Sequence, residues 1–425
     1  MTQVSIHRHD ITLLPQIDRV ILRPFLPSDA EQIDSILARI HVLSAAEADT
    51  VLDGVLRGFG SRHRNLESAL LANYDRAMPH VQIKTPLSRS QRLLIGAVFT
   101  GEYSLEAAAL FNPSIVAHPD QTAAPEGGLR FVMSLRSVGE GHVSSIEFRA
   151  GTIGGNGEIA LDPTSSCVAA AEIAPSARYK KKKVVYAIDF PPTSSLDERA
   201  IFPVSSNESN GIEDARFVRF VEDDGSVQYY ATYTAYNGQT ISPQLIETRD
   251  FLHFRVLTLA GSAVHNKGMA LFPRRIDGRF AMLSRQDNEN ILIMFSDDPH
   301  SWSDAQVIVR PAAIWESVKI GNCGSPIETE AGWLVITHGV GPMRTYSLGA
   351  VLLDLDDPTR VIGRLEHPLV SPEEAGRDGY VPNVVYSCGS LVHGGRLILP
   401  YAMSDRVTTI VSVSLEEILS ALAGG

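Results

Sequence analysis

The chain has 425 residues, of which 44% are hydrophobic and 20% charged, a composition typical of a globular protein that buries a large core. Its formal net charge of −12 argues against nucleic acid as a partner. It also contains no run of about 18 apolar residues that would predict a membrane span. Cys167, Cys323 and Cys388 lack metal-ligand spacing, and residues 1–15 carry no apolar signal core. We therefore expect a cytoplasmic protein with reduced thiols and no metal.

The first 105 residues have the patterning of helices. Ser28 with Glu31 and Ser44 with Glu47 are candidate capping boxes, and apolar residues at helical spacing follow each of them. We predict an N-terminal helical extension, residues 1–105. Because its apolar stripes exceed what exposed helices can leave bare, we expect it to pack beside the rest of the protein and to contribute to a homo-oligomer or to a pocket wall.

From about Leu110 the pattern changes to short alternating apolar runs separated by Gly, Pro, Asn and Asp, which is typical of antiparallel strands. The clearest predicted strands lie at 129–135, 142–148, 229–233, 280–283, 291–295, 333–337 and 397–401. A last helix is predicted near Ser414, within a C-terminal segment of residues 412–425.

A basic run at 178–183 precedes a predicted strand at 184–188. Such a run can bind nucleic acid, but we favour a solvated loop that leads into the strand.

An internal repeat links two of the turns between strands. Thr248 with Asp250 is followed four residues later by Phe254, and 48 residues further on Ser296 with Asp298 is followed by Trp302. A looser copy is the acidic turn at 354–357. A period near 50 residues with about four strands per unit predicts propeller blades, and about 300 residues would make five or six of them.

The stretch at 211–216, Gly-Ile-Glu-Asp-Ala-Arg, carries the clearest candidate for acid–base chemistry. On a regular strand, Glu213 and Asp214 point to opposite faces, and Arg216 shares a face with Asp214. One carboxylate beside a cation suits a positioned general acid. The alternative is a surface turn with a solvated ion pair.

The order of motifs along the chain resembles glycoside hydrolase family 130, the mannoside phosphorylases and β-mannosidases. The matching pieces are residues 111–113, 211–216, 233–238, 267 with 271–273, 283–285, 337–340, 346, 352–358, 379–385 and 401–405. The family usually has Pro where Ala215 stands, and the residues around Arg285 and at 401–405 also depart from its pattern. These departures affect the predicted sugar specificity more than the fold.

The resemblance implies an all-β, five-bladed propeller over residues 106–411 and assigns roles within it. Asp214 is implied as the proton donor, which acts through a sugar hydroxyl. The implied phosphate-binding residues are Arg136, Lys267, Arg285, His338 and Tyr346. The implied sugar-side residues are Asn112, Glu213, Arg216, Tyr236 and Asp405; of these, Asn112 is open to a phosphate role and Glu213 to a supporting or a catalytic one.

Hydrolysis and phosphorolysis of a glycoside need different catalytic groups. Inverting hydrolysis needs two carboxylates, whereas phosphorolysis needs one acid and a set of cations that hold phosphate. We predict an inverting phosphorylase that cleaves or synthesises β-mannosides, with inorganic phosphate as co-substrate, α-mannose 1-phosphate as product and no cofactor. The alternatives are a β-mannosidase, a sugar-nucleotide-dependent mannosyltransferase and a non-catalytic propeller that binds glycan or protein.

Overall fold

Strands dominate the computed structural model, which describes residues 4–80, 86–175, 184–372, 379 and 381–424. In chain order the strands are β1 (Ile6–Leu13), β2 (Val20–Pro24), β3 (Thr100–Ser104), β4 (Ala109–Ala117), β5 (Leu129–Val138), β6 (Ser144–Ile153), β7 (Ile159–Leu161), β8 (Glu172–Pro175), β9 (Val184–Asp189), β10 (Ala200–Ile201), β11 (Ile212–Val221), β12 (Val227–Tyr236), β13 (Ile241–Thr248), β14 (His253–Thr258), β15 (Ala270–Leu271), β16 (Phe280–Ser284), β17 (Ile291–Ser296), β18 (Gln306–Val309), β19 (Lys319–Asn322), β20 (Ile327–Thr329), β21 (Gly332–Val340), β22 (Tyr346–Leu353), β23 (Val361–Arg364), β24 (Val385–Tyr386), β25 (Leu391–His393), β26 (Arg396–Met403) and β27 (Val407–Ser414). The helices of the described residues are α1 (Ala30–His41), α2 (Ala45–Phe59), α3 (Leu66–Ala77), α4 (Arg89–Val98) and α5 (Leu415–Ala423). In this part of the chain, no helix has the length and apolar character needed to cross a membrane. The basic run at 178–183 lies outside the described residues.

The chain divides into two compact units. The first consists of Met1–Pro15, Glu106–Thr164 and Ala171–Gly425, and the second of Gln16–Leu105 with Ser165–Ala170. The structure therefore differs from the predicted extension over residues 1–105. Its opening residues belong to the β-rich unit, because β1 pairs with β27, the last strand of the chain. Residues 412–414 likewise belong to β27, so the final helix begins only at Leu415.

The second unit contains α1–α4 and the two-stranded sheet of β2 and β3. The predicted capping box of α2 is present: the Glu47 amide donates to Ser44 Oγ at 3.3 Å, and the Ser44 amide donates to the Glu47 carboxylate at 2.8 Å. Helix α1 starts one residue later than predicted, because Asp29 rather than Ser28 caps it. Its apolar stripe packs into one core with those of the other three helices, as amphipathic helices require.

Five antiparallel sheets make up the first unit. Their strand orders are β10-β6-β5-β4 with β7 beside β6 (sheet one), β11-β12-β13-β14-β9-β8 (sheet two), β15-β16-β17-β18 (sheet three), β19-β21-β22-β23 with β20 beside β21 (sheet four) and β1-β27-β26-β24 with β25 beside β26 (sheet five). One edge of each sheet is formed by β4, β11, β15, β19 or β24, which we call the edge strands. Each sheet contacts the next along the chain, and sheet five contacts sheet one through β26 and β4.

Central strands of these sheets are covered on both faces. Every position of β21 is buried, which explains why its sequence is almost continuously apolar instead of alternating. Fully buried Trp302 and Trp333 pack into two of the apolar clusters. The predicted strand at 142–148 begins only at Ser144, because Glu140–His142 forms a 3-10 turn.

The repeated turn of the sequence is present in the structure. Thr248 Oγ1 accepts hydrogen bonds from the amides of Asp250 and Phe251, and the Asp250 carboxylate accepts from the next two amides. Ser296 and Asp298 make two of these four bonds one sheet further on: Ser296 Oγ accepts from the Asp298 amide, and the Asp298 carboxylate accepts from the His300 amide. The third acidic turn follows β22, where Asp354 accepts from two amides. The repeat therefore marks equivalent turns of sheets two, three and four.

Helix α5 closes an apolar cluster of sheets four and five through Ile418 and Leu422. We expect Ile418→Ala to lower the free energy of unfolding by about 2–5 kcal/mol, because it removes a fully buried side chain and leaves a cavity. Urea denaturation will measure the change. Ser420→Ala, on the exposed face of the same helix, is the control and should stay within about 0.5 kcal/mol of the wild type. Equal effects of the two substitutions would contradict the packing of this helix.

Candidate active site

A cavity of about 300 Å³ collects polar side chains from strands or adjoining turns of all five sheets. It is lined by Asn112, Arg136, Glu213, Asp214, Lys267, Arg285, Asn288, Lys319, Arg344, Tyr346, Val381, Val384, Tyr386 and Asp405. Four of these residues lie on edge strands: Asn112, Glu213, Asp214 and Lys319. The edge strands therefore bring together residues that are far apart in the sequence.

The backbone is left-handed at five of these residues, namely Asn112, Asp214, Asn288, Arg344 and Asp405. Asn112, Asp214 and Asp405 have φ values of +50°, +56° and +52°, in a region that residues other than glycine occupy at a cost. At Asp214 the pairing of β11 with β12 shifts register between Glu213 and Arg216. The prediction that Glu213 and Asp214 face opposite sides is therefore wrong: the bulge interrupts the alternation, and both carboxylates line the cavity.

Gly211 makes this bend sterically feasible. Its φ is +119°, and a Cβ there would lie 2.5 Å from Ser144 Oγ and 2.7 Å from the Ser144 amide nitrogen. Only glycine fits this approach to sheet one, where Ser144 Oγ donates to the carbonyl of Ile212 at 2.8 Å.

Two cations are paired with the carboxylates. Arg136 donates to Glu213 at 2.9 Å and lies 3.6 Å from Asp214, and the Lys267 ammonium lies 3.0 Å from the other oxygen of Glu213. Asn112 Nδ2 donates to Asp214 Oδ1 at 2.7 Å. We call this group of residues, with Asp405, the carboxylate face.

Opposing influences act on the pKa of Asp214. Burial alone would raise it, but the charges of Arg136, Arg216 and Lys267, together with the Asn112 hydrogen bond, outweigh burial and hold the pKa below its ordinary value. Arg216 lies beneath the cavity and donates to the Asp214 carbonyl at 2.9 Å, to the Cys323 carbonyl at 2.9 Å and to the Tyr386 hydroxyl at 2.8 Å. It therefore holds the strand in place from behind.

Asp405 is the carboxyl group with the opposite shift. Burial raises its pKa to about 6, the negative charges of Asp214 and Glu213 contribute in the same direction, and Arg136 opposes them. The site thus contains one carboxyl group that retains its proton to unusually high pH and another that releases it early, a separation characteristic of acid–base sites.

The same cavity is also lined by Arg285, Lys319, Arg344 and Tyr346, and we call this group of residues the cationic face. Among the residues that the structure describes, no carboxylate lies within ion-pair distance of its three cations. Arg285 is 6% exposed, and its Nη1 donates to His338 Nε2 at 2.7 Å. The Lys319 ammonium lies 5.8 Å from the centre of the Tyr346 ring.

His338 supports this face from behind instead of lining it. It is fully buried and its ring stacks on Tyr346, with centroids 6.1 Å apart. Since a guanidinium can only donate, Nε2 must accept from Arg285, so the imidazole is neutral. Burial and the charges of Arg285, Arg216 and Lys319 accordingly hold the pKa of His338 well below its ordinary value.

The structure brings most of the predicted site residues together. Those that line the cavity are Asn112, Arg136, Glu213, Asp214, Lys267, Arg285, Tyr346 and Asp405. Arg216 and His338 lie behind the lining, and Tyr236 is not part of it: its hydroxyl donates to the carbonyl of Gly238. Four further lining residues were not predicted from the sequence: Asn288, Lys319, Arg344 and Tyr386. The Gly-Pro pair at 341–342 marks a turn that could have drawn attention to Arg344.

A second cavity, of about 340 Å³, lies between sheets two and three. Its charges are largely paired with one another: Arg275 contacts Glu222, Arg255 contacts Glu247, and His300 bridges Glu247 and Asp298. It therefore has less capacity to bind a charged ligand than the first cavity. Within the described residues, no cluster of three His, Cys, Asp or Glu side chains could hold a metal ion.

Similarity to known proteins places the chain among enzymes that act on glycosides. More particularly, it belongs to glycoside hydrolase family 130, whose model, described as beta-1,4-mannooligosaccharide phosphorylase, matches residues 193–423. The resemblance noted from the motifs is thereby confirmed.

Individual relatives agree with this assignment. The chain is 35% identical over 259 residues to a 1,2-beta-oligomannan phosphorylase of Thermoanaerobacter sp. (strain X514), covering 59% of this chain and 85% of the relative. It is 31% identical over 239 residues to a beta-1,2-mannobiose phosphorylase of Listeria innocua, covering 54% and 65% of the two chains. The solved structure of a Listeria innocua beta-1,2-mannobiose phosphorylase in complex with beta-1,2-mannobiose superposes with a TM-score of 0.53 at 24% identity, covering 76% of this chain and 94% of that one. At this identity, the structural match supports the fold alone.

Gly321 in β19 lies directly against the support of the cationic face. A Cβ at this position would lie 2.5 Å from His338 Cε1 and 2.8 Å from Arg285 Cδ, so we expect Gly321→Ala to displace Arg285. Activity on mannosides should fall about tenfold or more, as expected when a charge-assisted contact is lost. Steady-state kinetics and melting temperature together measure this. Gly54→Ala, whose Cβ meets nothing within 4 Å, is the control and should retain full activity. Wild-type activity in Gly321→Ala would contradict the placement of Arg285.

The raised pKa of Asp405 makes stability depend on pH. Because the folded protein keeps a proton that the unfolded chain releases above its ordinary pKa of 3.8, the free energy of unfolding contributed by this group falls as pH rises from about 4 through about 6. We expect Asp405→Asn to remove this decrease. The free energy of unfolding of the wild type should therefore fall by about 1–3 kcal/mol more than that of the variant when the pH is raised from 4.5 to 7.5. Urea titrations at the two pH values test this, with exposed Asp356→Asn as control. Parallel pH curves for Asp405→Asn and the wild type would count against it.

Proposed function

We propose that the protein is an inverting phosphorylase that transfers the mannosyl group of a β-mannoside to inorganic phosphate, with α-mannose 1-phosphate as product. The observation that carries this proposal is the presence of two kinds of group in one cavity: acid–base carboxyl groups, and cations without a carboxylate partner in the described chain. Phosphorolysis needs that combination, since a carboxyl group must protonate a leaving oxygen while the cations hold an anion. The phosphorylase names of the relatives support the same reading.

We further infer that the five sheets are the blades of a five-bladed propeller. Support comes from the contact of each sheet with the next and of sheet five with sheet one. Edge strands that converge on one axis would explain why a single cavity receives residues from all five sheets.

The mannosyl group is proposed to lie against the carboxylate face. Asn112 Nδ2 is occupied by Asp214, while its Oδ1 is buried without a hydrogen-bond partner in the described protein and can accept from a sugar hydroxyl. Asp405, as a protonated or ionised carboxyl group, can donate to or accept from another hydroxyl. Glu213 keeps Arg136 and Lys267 in place beside them.

Asp214 is proposed to supply the proton through a sugar hydroxyl. In the resting site its lowered pKa favours the anion, so a phosphate dianion bound on the cationic face has a second effect: its negative charge opposes the effect of the neighbouring cations and favours the protonated acid. The bond from the anomeric carbon to the glycosidic oxygen then breaks, and a bond from the same carbon to a phosphate oxygen forms. The proton lost by hydrogen phosphate balances the proton that the leaving sugar gains. Attack from the opposite face converts the β-linkage into an α-phosphate.

A β-mannosidase activity is the second candidate, because Asp405 provides a further carboxylate that could activate water. The two activities differ in their product, which is mannose 1-phosphate for the phosphorylase and free mannose for the hydrolase.

We also infer the cellular location, the assembly and the co-substrate of the enzyme. The free thiols of all three cysteines support a cytoplasmic location. Exposed apolar side chains of the second unit, among them Val42 just after α1 and Val51 on α2, support its use in a homo-oligomer. Inorganic phosphate is the proposed co-substrate, without a metal or organic cofactor.

A panel of β-linked mannobioses, assayed with and without phosphate, tests the proposed activity. We expect the wild type to form mannose 1-phosphate only when phosphate is present. Asp214→Asn should lower turnover by about 10²- to 10⁴-fold while mannobiose still binds, because the substitution removes the proton and leaves the shape of the site unchanged. Asp223→Asn, an exposed position at the turn after β11, is the matched control. Free mannose released at a rate indifferent to phosphate would move the assignment to the hydrolase.

A further inference from the structure

The five cations that line the cavity fall into two groups with different partners. Arg136 and Lys267 are bound to Glu213 at 2.9 and 3.0 Å. Arg285, Lys319 and Arg344 have no carboxylate within ion-pair distance among the residues described. Lys319 and Arg344 are also the two cations that the family motifs did not point to. The positive charge available to a free anion therefore lies on the cationic face, and two of its three carriers are new.

These three cations differ in their exposure to solvent. Arg285 is buried, and it is held by His338 and by Asn266, whose Nδ2 donates to the Arg285 carbonyl at 3.0 Å. Lys319 is half-buried beside Tyr346, and Arg344 is exposed at the rim. An anion that enters from solvent would meet the exposed cation first and the buried one last.

Arg344 is held at the rim by a closed turn. The Gly341 amide donates to the Thr345 carbonyl at 3.0 Å, and the Thr345 amide donates to the Pro342 carbonyl at 3.2 Å. Within this turn Met343 and Arg344 are both left-handed, with φ values of +57° and +54°. Two consecutive side chains in this conformation are costly, and such strain persists at sites where the position of a side chain matters.

The net charge of the whole chain indicates a role for the cations at the rim of the cavity. With a formal net charge of −12, the protein repels a phosphate dianion that approaches it from solution. A local group of cations at the mouth of a cavity reverses the field there and raises the concentration of the anion. We propose that Lys319 and Arg344 capture phosphate at the mouth of the cavity and deliver it to Arg285 and Tyr346, an inference that rests on the proposed phosphorylase function.

Kinetics with phosphate as the varied substrate test this role. We expect Lys319→Ala and Arg344→Ala each to raise the KM for phosphate about 5- to 10-fold, and the double variant to raise it further, with kcat and the KM for the mannoside changed less than about twofold. Added NaCl should raise the phosphate KM of the wild type more steeply than that of the double variant, because screening acts on the charges that the variant lacks. Arg344→Lys and Lys319→Arg, which keep the charge, should restore most of the affinity.

Two control variants distinguish the effect of losing a cavity cation from the effect of altering the turn or of removing a charge elsewhere. Met343→Asn alters the same turn with a residue that tolerates the left-handed conformation, and Arg360→Ala removes an exposed charge from the turn between β22 and β23. Both should leave the KM for phosphate unchanged.

The outcomes distinguish the two proposals. If the wild type depends on phosphate but the Lys319 and Arg344 variants keep its KM and its salt dependence, the capture role is wrong and the phosphorylase stands. A phosphate KM that rises equally in Met343→Asn would also refute the capture role, since the effect would then come from the turn. If the wild type needs no phosphate at all, the proposed function fails first.

Discussion

Left-handed backbone at Asn112, Asp214 and Asp405 is the constraint on which the site depends. A polar side chain on a regular strand of a sheet covered on both faces would point into an apolar neighbour, where an unpaired carboxylate is very costly. At Asn112 and Asp214 a register shift turns the side chain out of the sheet and into the cavity. The regular antiparallel hydrogen bonds before and after each bulge offset the conformational cost of the left-handed residue. The same sheets can therefore be apolar within and carry reactive groups at their edges.

Buried glutamates precede two of the edge strands and help to position them. Glu208 precedes β11 and accepts hydrogen bonds from the hydroxyls of Tyr186 and Tyr233 and from two amides. Glu316 precedes β19 and accepts from the amides of Ala312 and Ala313 and from Arg364. A buried carboxylate that accepts several hydrogen bonds specifies the path of the chain more narrowly than apolar packing does. These acids therefore fix where the edge strands start, and with them the positions of Asp214 and Lys319.

The parts of the fold that could be predicted from the sequence depend on local interactions. The capping box at Ser44, the apolar stripes of α1–α4 and the turn repeat at Thr248 and Ser296 each involve residues within a few positions of one another. The start of the chain was misassigned because the partner of β1 lies at the opposite end of the sequence. Alternation failed at Glu213 and Asp214 because a bulge depends on pairing with a neighbouring strand, which periodicity cannot show.

The candidate site was predicted from motifs and not from the physics of the chain alone. Eight of the eleven residues predicted from the resemblance line the cavity. His338 had been expected to contact phosphate, but burial and the donor character of Arg285 make it a neutral support. Lys319 and Arg344 belong to no motif; only the meeting of the fourth sheet with the others brings them to the cavity.

The pairing of the first strand with the last has a consequence for how the chain is made. Thr409 donates to the carbonyl of Ile11 across a separation of 398 residues. At the usual rate of synthesis of about 5–20 residues per second, β1 leaves the ribosome roughly 20–80 s before its partner exists. During that interval its hydrogen-bonding edge is open to other chains, and sheet five cannot form. The shape of the carboxylate face, which includes Asp405 from that sheet, must therefore be among the last features to appear during synthesis.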